Sequence, residues 1–169
     1  MTKYSHLKNI VFSGDVSTFI KENAQTLMFV LVWNLFEDEC MKKSARIKDV
    51  ENFVKNLSEN INENTFDISL YEYFRNRYLD KDLKDALNLE EKYCKQIEKA
   101  FKKHVTDIDL HSKIKCCLYI CFRFRNNLFH GEKDVFNTEQ ECNFELINEF
   151  LMQFIEIQYK SNKKREDNA

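Results

Sequence analysis

Asp109-Leu-His-Ser-Lys-Ile-Lys-Cys-Cys-Leu-Tyr-Ile-Cys-Phe-Arg-Phe-Arg-Asn-Asn-Leu-Phe-His-Gly131 reads as one uninterrupted helix. Ile114, Cys117, Leu118, Cys121, Phe122 and Leu128 recur at helical spacing. Asp107 or Asp109 opens the helix, and Gly131 stands where a glycine commonly ends one. The rest of the 169-residue chain follows the same rule, with Pro 0 and Gly 2. Sandwiches, barrels and hairpin-rich folds need Gly, Pro and Asn-Gly turns. Dinucleotide and P-loop sites need several glycines close together. Gly14 and Gly131 supply neither, so the chain is predicted to be all-α, a bundle of five or six helices.

Length favours one core over two small ones. Hydrophobic residues make up 43% and charged residues 32%, a globular balance. Lysines and arginines (26) nearly match aspartates and glutamates (28), so no global field draws the chain to nucleic acid or membrane. Any anion site must therefore be local. The longest uncharged run, Asn23 to Phe36, is too short to cross a bilayer, and the first residues lack the pattern of a secretory signal. A cytoplasmic location is expected, with the six cysteines as reduced thiols. Cys117 and Cys121 share a helical face and Cys116 lies off it. No second ligand pair has zinc-site spacing, so the trio reads as buried thiols, and neither metal nor cofactor is expected.

Outward from the central helix, a first helix is expected from Asp15–Ser17 to about Met41, with Ile20, Ala24, Leu27, Leu31 and Leu35 on its inner face. On that wheel Asp38 falls on the same face and Glu37 at its edge. A second helix carries Ile47, Val50, Val54, Leu57 and Ile61, and Glu59 to Thr65 reads as a loop. Phe66 to Tyr78 is short and aromatic, and its rings are read as packing rather than as base-stacking surfaces. Leu83 to His104 reads as a solvated helix laced with Glu–Lys pairs such as Glu91/Lys95. A last helix runs from about Thr138 to Tyr159, with Thr138-Glu-Gln-Glu141 as a capping box. Residues 1–160 form the expected domain, and 161–169 a polar, disordered tail.

The chemistry concentrates at the end of the central helix. Between Asp109 and Glu132 no acid occurs, while Lys113, Lys115, Arg123 and Arg125 add positive charge. With Ile114 at the origin, the apolar face spans roughly −60° to +80° and Arg125 falls at about +20°. A guanidinium there is costly unless it meets an acid, a phosphate or a second subunit. Glu37 or Asp38 could be that acid, and His130 could simply complement the helix dipole. If the cluster is catalytic, its residue types favour phosphoryl chemistry. Arginine grips phosphate through two donors, histidine exchanges protons near neutrality, and asparagine (Asn126) positions by hydrogen bonding. Without a metal the substrate must bring its own nucleophile, which points to RNA and its 2′-hydroxyl.

Arg123-Phe-Arg125-Asn126-Asn-Leu-Phe-His130-Gly131-Glu-Lys133 resembles the signature of HEPN-domain proteins, most closely the Apea-like group. Arg125 and His130 are separated by four residues, within that family's range, and Trp33-Asn-Leu-Phe-Glu37 resembles its Trp-containing helix. The resemblance is specific over about ten residues. It implies an HEPN-like homodimer with the motifs at a shared cleft, acting as a metal-independent endoribonuclease in a toxin–antitoxin or antiviral system. An RNA substrate and an antitoxin or defence-system partner follow from it. Under the resemblance His130 is general base or acid, Arg125 the phosphate clamp, and Asn126 the positioning amide. Glu37 or Asp38 orients Arg125, while Arg123 and Lys133 are outer phosphate contacts. The alternatives are a non-catalytic HEPN dimer that binds a nucleotide or protein, and a helical interaction protein with a fortuitous motif.

Overall fold

A carboxylate from the far end of the chain breaks the first long helix. In the computed structural model, which describes residues 16–42, 45–57, 61, 66–130 and 138–166, it is split into α1 (Val16–Glu22) and α2 (Ala24–Glu39). Asn23 sits between them at φ −125°, ψ 30°, its Nδ2 donating to the Phe19 carbonyl at 2.9 Å. The next amides leave the helical ladder, since Gln25 N–H and Thr26 N–H donate to Glu141 at 2.8 and 3.0 Å. The Thr26 hydroxyl adds a third bond to the same carboxylate at 2.6 Å. Glu141 therefore caps α2, whereas the capping-box reading had it reach back to its own helix start.

Beyond a short 3-10 turn (Ile47–Asp49) come α3 (Val50–Asn56), α4 (Ser69–Tyr78), α5 (Leu83–Leu87) and α6 (Glu91–Phe101). The helix expected over 83–104 is thus two. Asp82 caps α5 by accepting from the amides of Lys84 and Asp85, and Asn88 ends it in the left-handed region at φ 48°, which asparagine tolerates better than most residues. After a second 3-10 turn (Val105–Asp107), Asp109 opens α7 (Leu110–His130) by accepting from the backbone and hydroxyl of Ser112. Burial alone would raise the Asp109 carboxyl, but the Ser112 hydrogen bonds outweigh it and hold the group below its ordinary value. The last helix, α8, runs Thr138–Glu166. It continues past Tyr159 to Glu166, into the segment expected to be a disordered tail, of which 167–169 lie outside the described residues.

The described residues are all-α, with eight α-helices rather than five or six because of the breaks at Asn23 and Asn88. The loop expected over 59–65 lies outside the described residues apart from Ile61. No helix among the described residues is long and apolar enough to cross a membrane.

Two packing relations position the candidate site. First, α2 lies along α8 in the same direction, Phe29 meeting Phe144 near the start and Phe36 meeting Phe154 near the end. Second, α7 runs through the middle and packs against α3, α4 and α6. From Lys113 to Phe124 only Lys115 escapes burial. Tyr93 packs on Tyr119, Phe74 stacks over Phe124, and Trp33 sets its edge against Phe122 at 5.0 Å. Such aromatic pairs contribute about 0.5–1.5 kcal/mol each beyond the area they bury.

The inner face of α2 is not the expected one. Thr26, Phe29, Val32, Trp33 and Phe36 are buried, while Ile20, Leu31 and Leu35 are exposed and Leu27 is half-buried. Residues 27 to 36 are apolar on nearly every side, so periodicity alone does not select a face. The bulkier aromatic row wins because it fills the space between α7 and α8.

Candidate functional site

Arg125 lies where α7 emerges from the core. Phe124 is buried, Arg125 and Asn126 are half-buried, and Phe129 is 46% exposed. The guanidinium is therefore at the margin of the apolar surround rather than inside it, and part of it meets water.

Its acid is Glu37. Along α2 the row Phe29–Trp33–Glu37 advances four residues at a time, so Glu37 follows Trp33 by one turn. Arg125 follows Phe122 by about one turn of α7, and Trp33 rests on Phe122. The two turns meet with Arg125 Nη2 3.7 Å from Glu37 Oε1, the side chains 30% and 22% exposed. Asp38, which the wheel favoured over Glu37, is exposed. The error followed from the face assigned to α2.

Two further contacts orient the guanidinium. Nη1 donates to Asn126 Oδ1 at 3.2 Å, and the carbon of the group lies 5.3 Å from the centre of the Phe129 ring. The Nε is buried with no hydrogen-bond partner. At 3.7 Å and partial exposure the ion pair adds at most about 1 kcal/mol. Its effect is directional. Glu37, Asn126 and Phe129 hold the plane while the guanidinium keeps donors in reserve, and five N–H groups are available to the group in all.

His130 is the last residue of α7, and its side chain falls outside the described residues, as do Gly131 and Lys133. Arg123 was expected to be an outer phosphate contact. At 6% exposure it is buried, since α7 is covered on all sides at that level, and it is not placed to meet a ligand from solvent.

Asn127 was not singled out from the sequence. It is buried, and its Oδ1 has no hydrogen-bond partner. Two consecutive asparagines inside a helix are unfavourable by propensity and were the available signal.

Other candidate chemistry recedes. Cys116, Cys117 and Cys121 are buried free thiols. Burial pushes Cys116 up to about 12 against the opposing charge of Lys115, and it raises Cys117 and Cys121 as well. They are thiols rather than thiolates at neutral pH. No group of three or more metal-ligating side chains occurs among the described residues. Phe66, Tyr71, Phe74 and Tyr78 are buried and Tyr73 is half-buried, so these rings pack rather than stack on a ligand. Of the remaining histidines, His104 is exposed beside Thr106, His111 is half-buried, and His6 lies outside the described residues. No protein-family profile, curated protein or solved structure matches this chain.

Proposed function

We propose that the chain is a metal-independent endoribonuclease of the HEPN type, cleaving RNA by 2′-hydroxyl attack and serving as a toxin or antiviral defence effector. One observation carries the reading. A partly exposed guanidinium is braced by Glu37 and Asn126 at the end of an otherwise buried helix, five positions before the helix's last residue, His130.

In this reaction the 2′-oxygen–phosphorus bond forms as the 5′-oxygen–phosphorus bond breaks, leaving a cyclic phosphate. Arg125 binds the non-bridging oxygens and stabilises the charge that builds on them. His130 acts as general base on the 2′-hydroxyl or as general acid at the leaving 5′-oxygen. Asn126 steers the guanidinium. Neither metal nor cofactor takes part.

The reading includes a homodimer. Ile20, Met28, Leu31 and Leu35 are exposed along α1 and α2, on the side of α2 away from the Phe29–Trp33–Glu37 row, and Phe129 is exposed beside the guanidinium. An exposed apolar row of this kind supports pairing of two copies.

The test is cleavage of end-labelled single-stranded and structured RNAs in the presence of a chelator. The wild type cuts and leaves cyclic phosphate ends. Arg125→Ala and His130→Ala lose about 100-fold or more in rate, with an unchanged circular dichroism spectrum. A wild-type protein inert toward both RNA classes, with and without divalent metal, overturns the nuclease and leaves the non-catalytic scaffold.

A further inference from the structure

On α6, some lysines are neutralised and others are not. Lys92 pairs with Glu90, Lys95 with Glu91, and Lys102 with Glu98. Lys99, on α6, and Lys103, just beyond its end, have no ion pair among the described residues. Both line a cavity of about 330 Å³ between α3, α6 and the first half of α7, and Lys115 of α7 joins them. The last turn of α6 is fixed in place, because Arg75 of α4 donates from Nε to the Phe101 carbonyl at 2.9 Å and from Nη2 to the Lys103 carbonyl at 3.4 Å.

The two carboxylates of the cavity do not neutralise these lysines. Asp109 is committed to the Ser112 backbone and hydroxyl. Glu51, an exposed residue, belongs to a polar network on the cavity wall. Tyr119, fully buried, directs its hydroxyl to Glu51 Oε1 at 3.4 Å and Gln96 Oε1 at 3.2 Å, and Gln96 Nε2 donates to Glu51 Oε1 at 3.3 Å. These distances are long for hydrogen bonds of their type. Glu51 Oε2 takes part in none of them, so this wall has acceptor capacity to spare.

The cavity is thus lined by three lysines without ion pairs among the described residues and by carboxylate and amide acceptors with capacity to spare. We propose that it binds a small sugar phosphate, the phosphate among Lys99, Lys103 and Lys115 and the sugar hydroxyls donating to Glu51 and Gln96. The volume lies at the small end of the range for ligand pockets, which suits a single phosphorylated sugar. Lys115 is ten residues before Arg125 along α7, a rise of about 15 Å, so this site is separate from the proposed nuclease centre and does not rest on it.

Ribose 5-phosphate, ribose and inorganic phosphate are the probes, titrated into the full chain and read by thermal shift and calorimetry. Ribose 5-phosphate is expected to bind saturably at roughly millimolar concentration or below, phosphate more weakly, and ribose not at all. Lys99→Gln and Lys115→Gln each weaken ribose 5-phosphate about tenfold or more, while Lys92→Gln does not. Glu51→Gln lowers ribose 5-phosphate to the level of phosphate. The variants replace solvent-facing side chains, and an unchanged melting temperature without ligand confirms their folding. Absence of saturable ribose 5-phosphate binding overturns the proposal. So does binding that is indifferent to Lys99→Gln and Lys115→Gln, or equal affinity for phosphate and ribose 5-phosphate in the wild type. All readouts are binding, so they stand or fall apart from RNA cleavage.

Discussion

Replacing Glu141 by alanine tests how one carboxylate joins the two ends of the chain. The side chain accepts three hydrogen bonds at the start of α2, from Gln25 N, Thr26 N and Thr26 Oγ1. Losing a helix cap costs about 0.5–2 kcal/mol. The Thr26 hydroxyl is fully buried, and stranding it adds about 1–3 kcal/mol. Together the expected loss for Glu141→Ala is about 3 kcal/mol, which in a chain of this size lowers the melting temperature by about 6–12 °C. Glu141→Gln keeps the shape but not the charge, and costs about half as much. Urea denaturation followed by circular dichroism reads both, with an unchanged denaturant slope as the control. In a double-mutant cycle Thr26→Val recovers about 1 kcal/mol of the Glu141→Ala loss, because no hydroxyl is then stranded. A Glu141→Ala protein within about 0.5 kcal/mol of wild type refutes the capping argument.

Trp33→Ala removes the ring between α2 and α7, and should cost about 3–5 kcal/mol in the same denaturation assay. Arg125→Ala, in contrast, should change stability by no more than about 1 kcal/mol, so any loss of RNA cleavage is a loss of chemistry. Leu31→Asp together with Leu35→Asp should leave the melting temperature near that of wild type and shift the proposed homodimer to monomer in sedimentation. The Asp109 carboxyl is held low in the folded state, so its contribution is complete above the unfolded value and fades as pH falls through the lower, folded one. Acid titrations of stability should therefore flatten in that window for Asp109→Asn.

The helical class was legible because Pro and Gly are nearly missing, and that restricts every segment at once. Helix breaks were less legible. The one at Asn23 depends on Glu141, more than a hundred residues away, and the one at Asn88 on a single left-handed residue among helix formers. The packed face of α2 could not be chosen from a wheel, since Phe29, Trp33 and Phe36 on one side compete with Leu27, Leu31 and Leu35 on the other. That ambiguity passed directly into the choice between Glu37 and Asp38. That Arg125 would meet an acid of the first long helix was readable from its place on the apolar face. The burial of Arg123 was not, because it requires knowing that α7 is surrounded.

The cysteines of α7 make the protein its own gauge of integrity. Cys142 is exposed, whereas Cys116, Cys117 and Cys121 are enclosed and held as thiols. An alkylating reagent should modify Cys142 at once, the half-buried Cys40 more slowly, and the enclosed Cys94, Cys116, Cys117 and Cys121 only when neighbouring helices separate. The rate of that slow phase measures how often the bundle breathes, with no label or engineered residue needed.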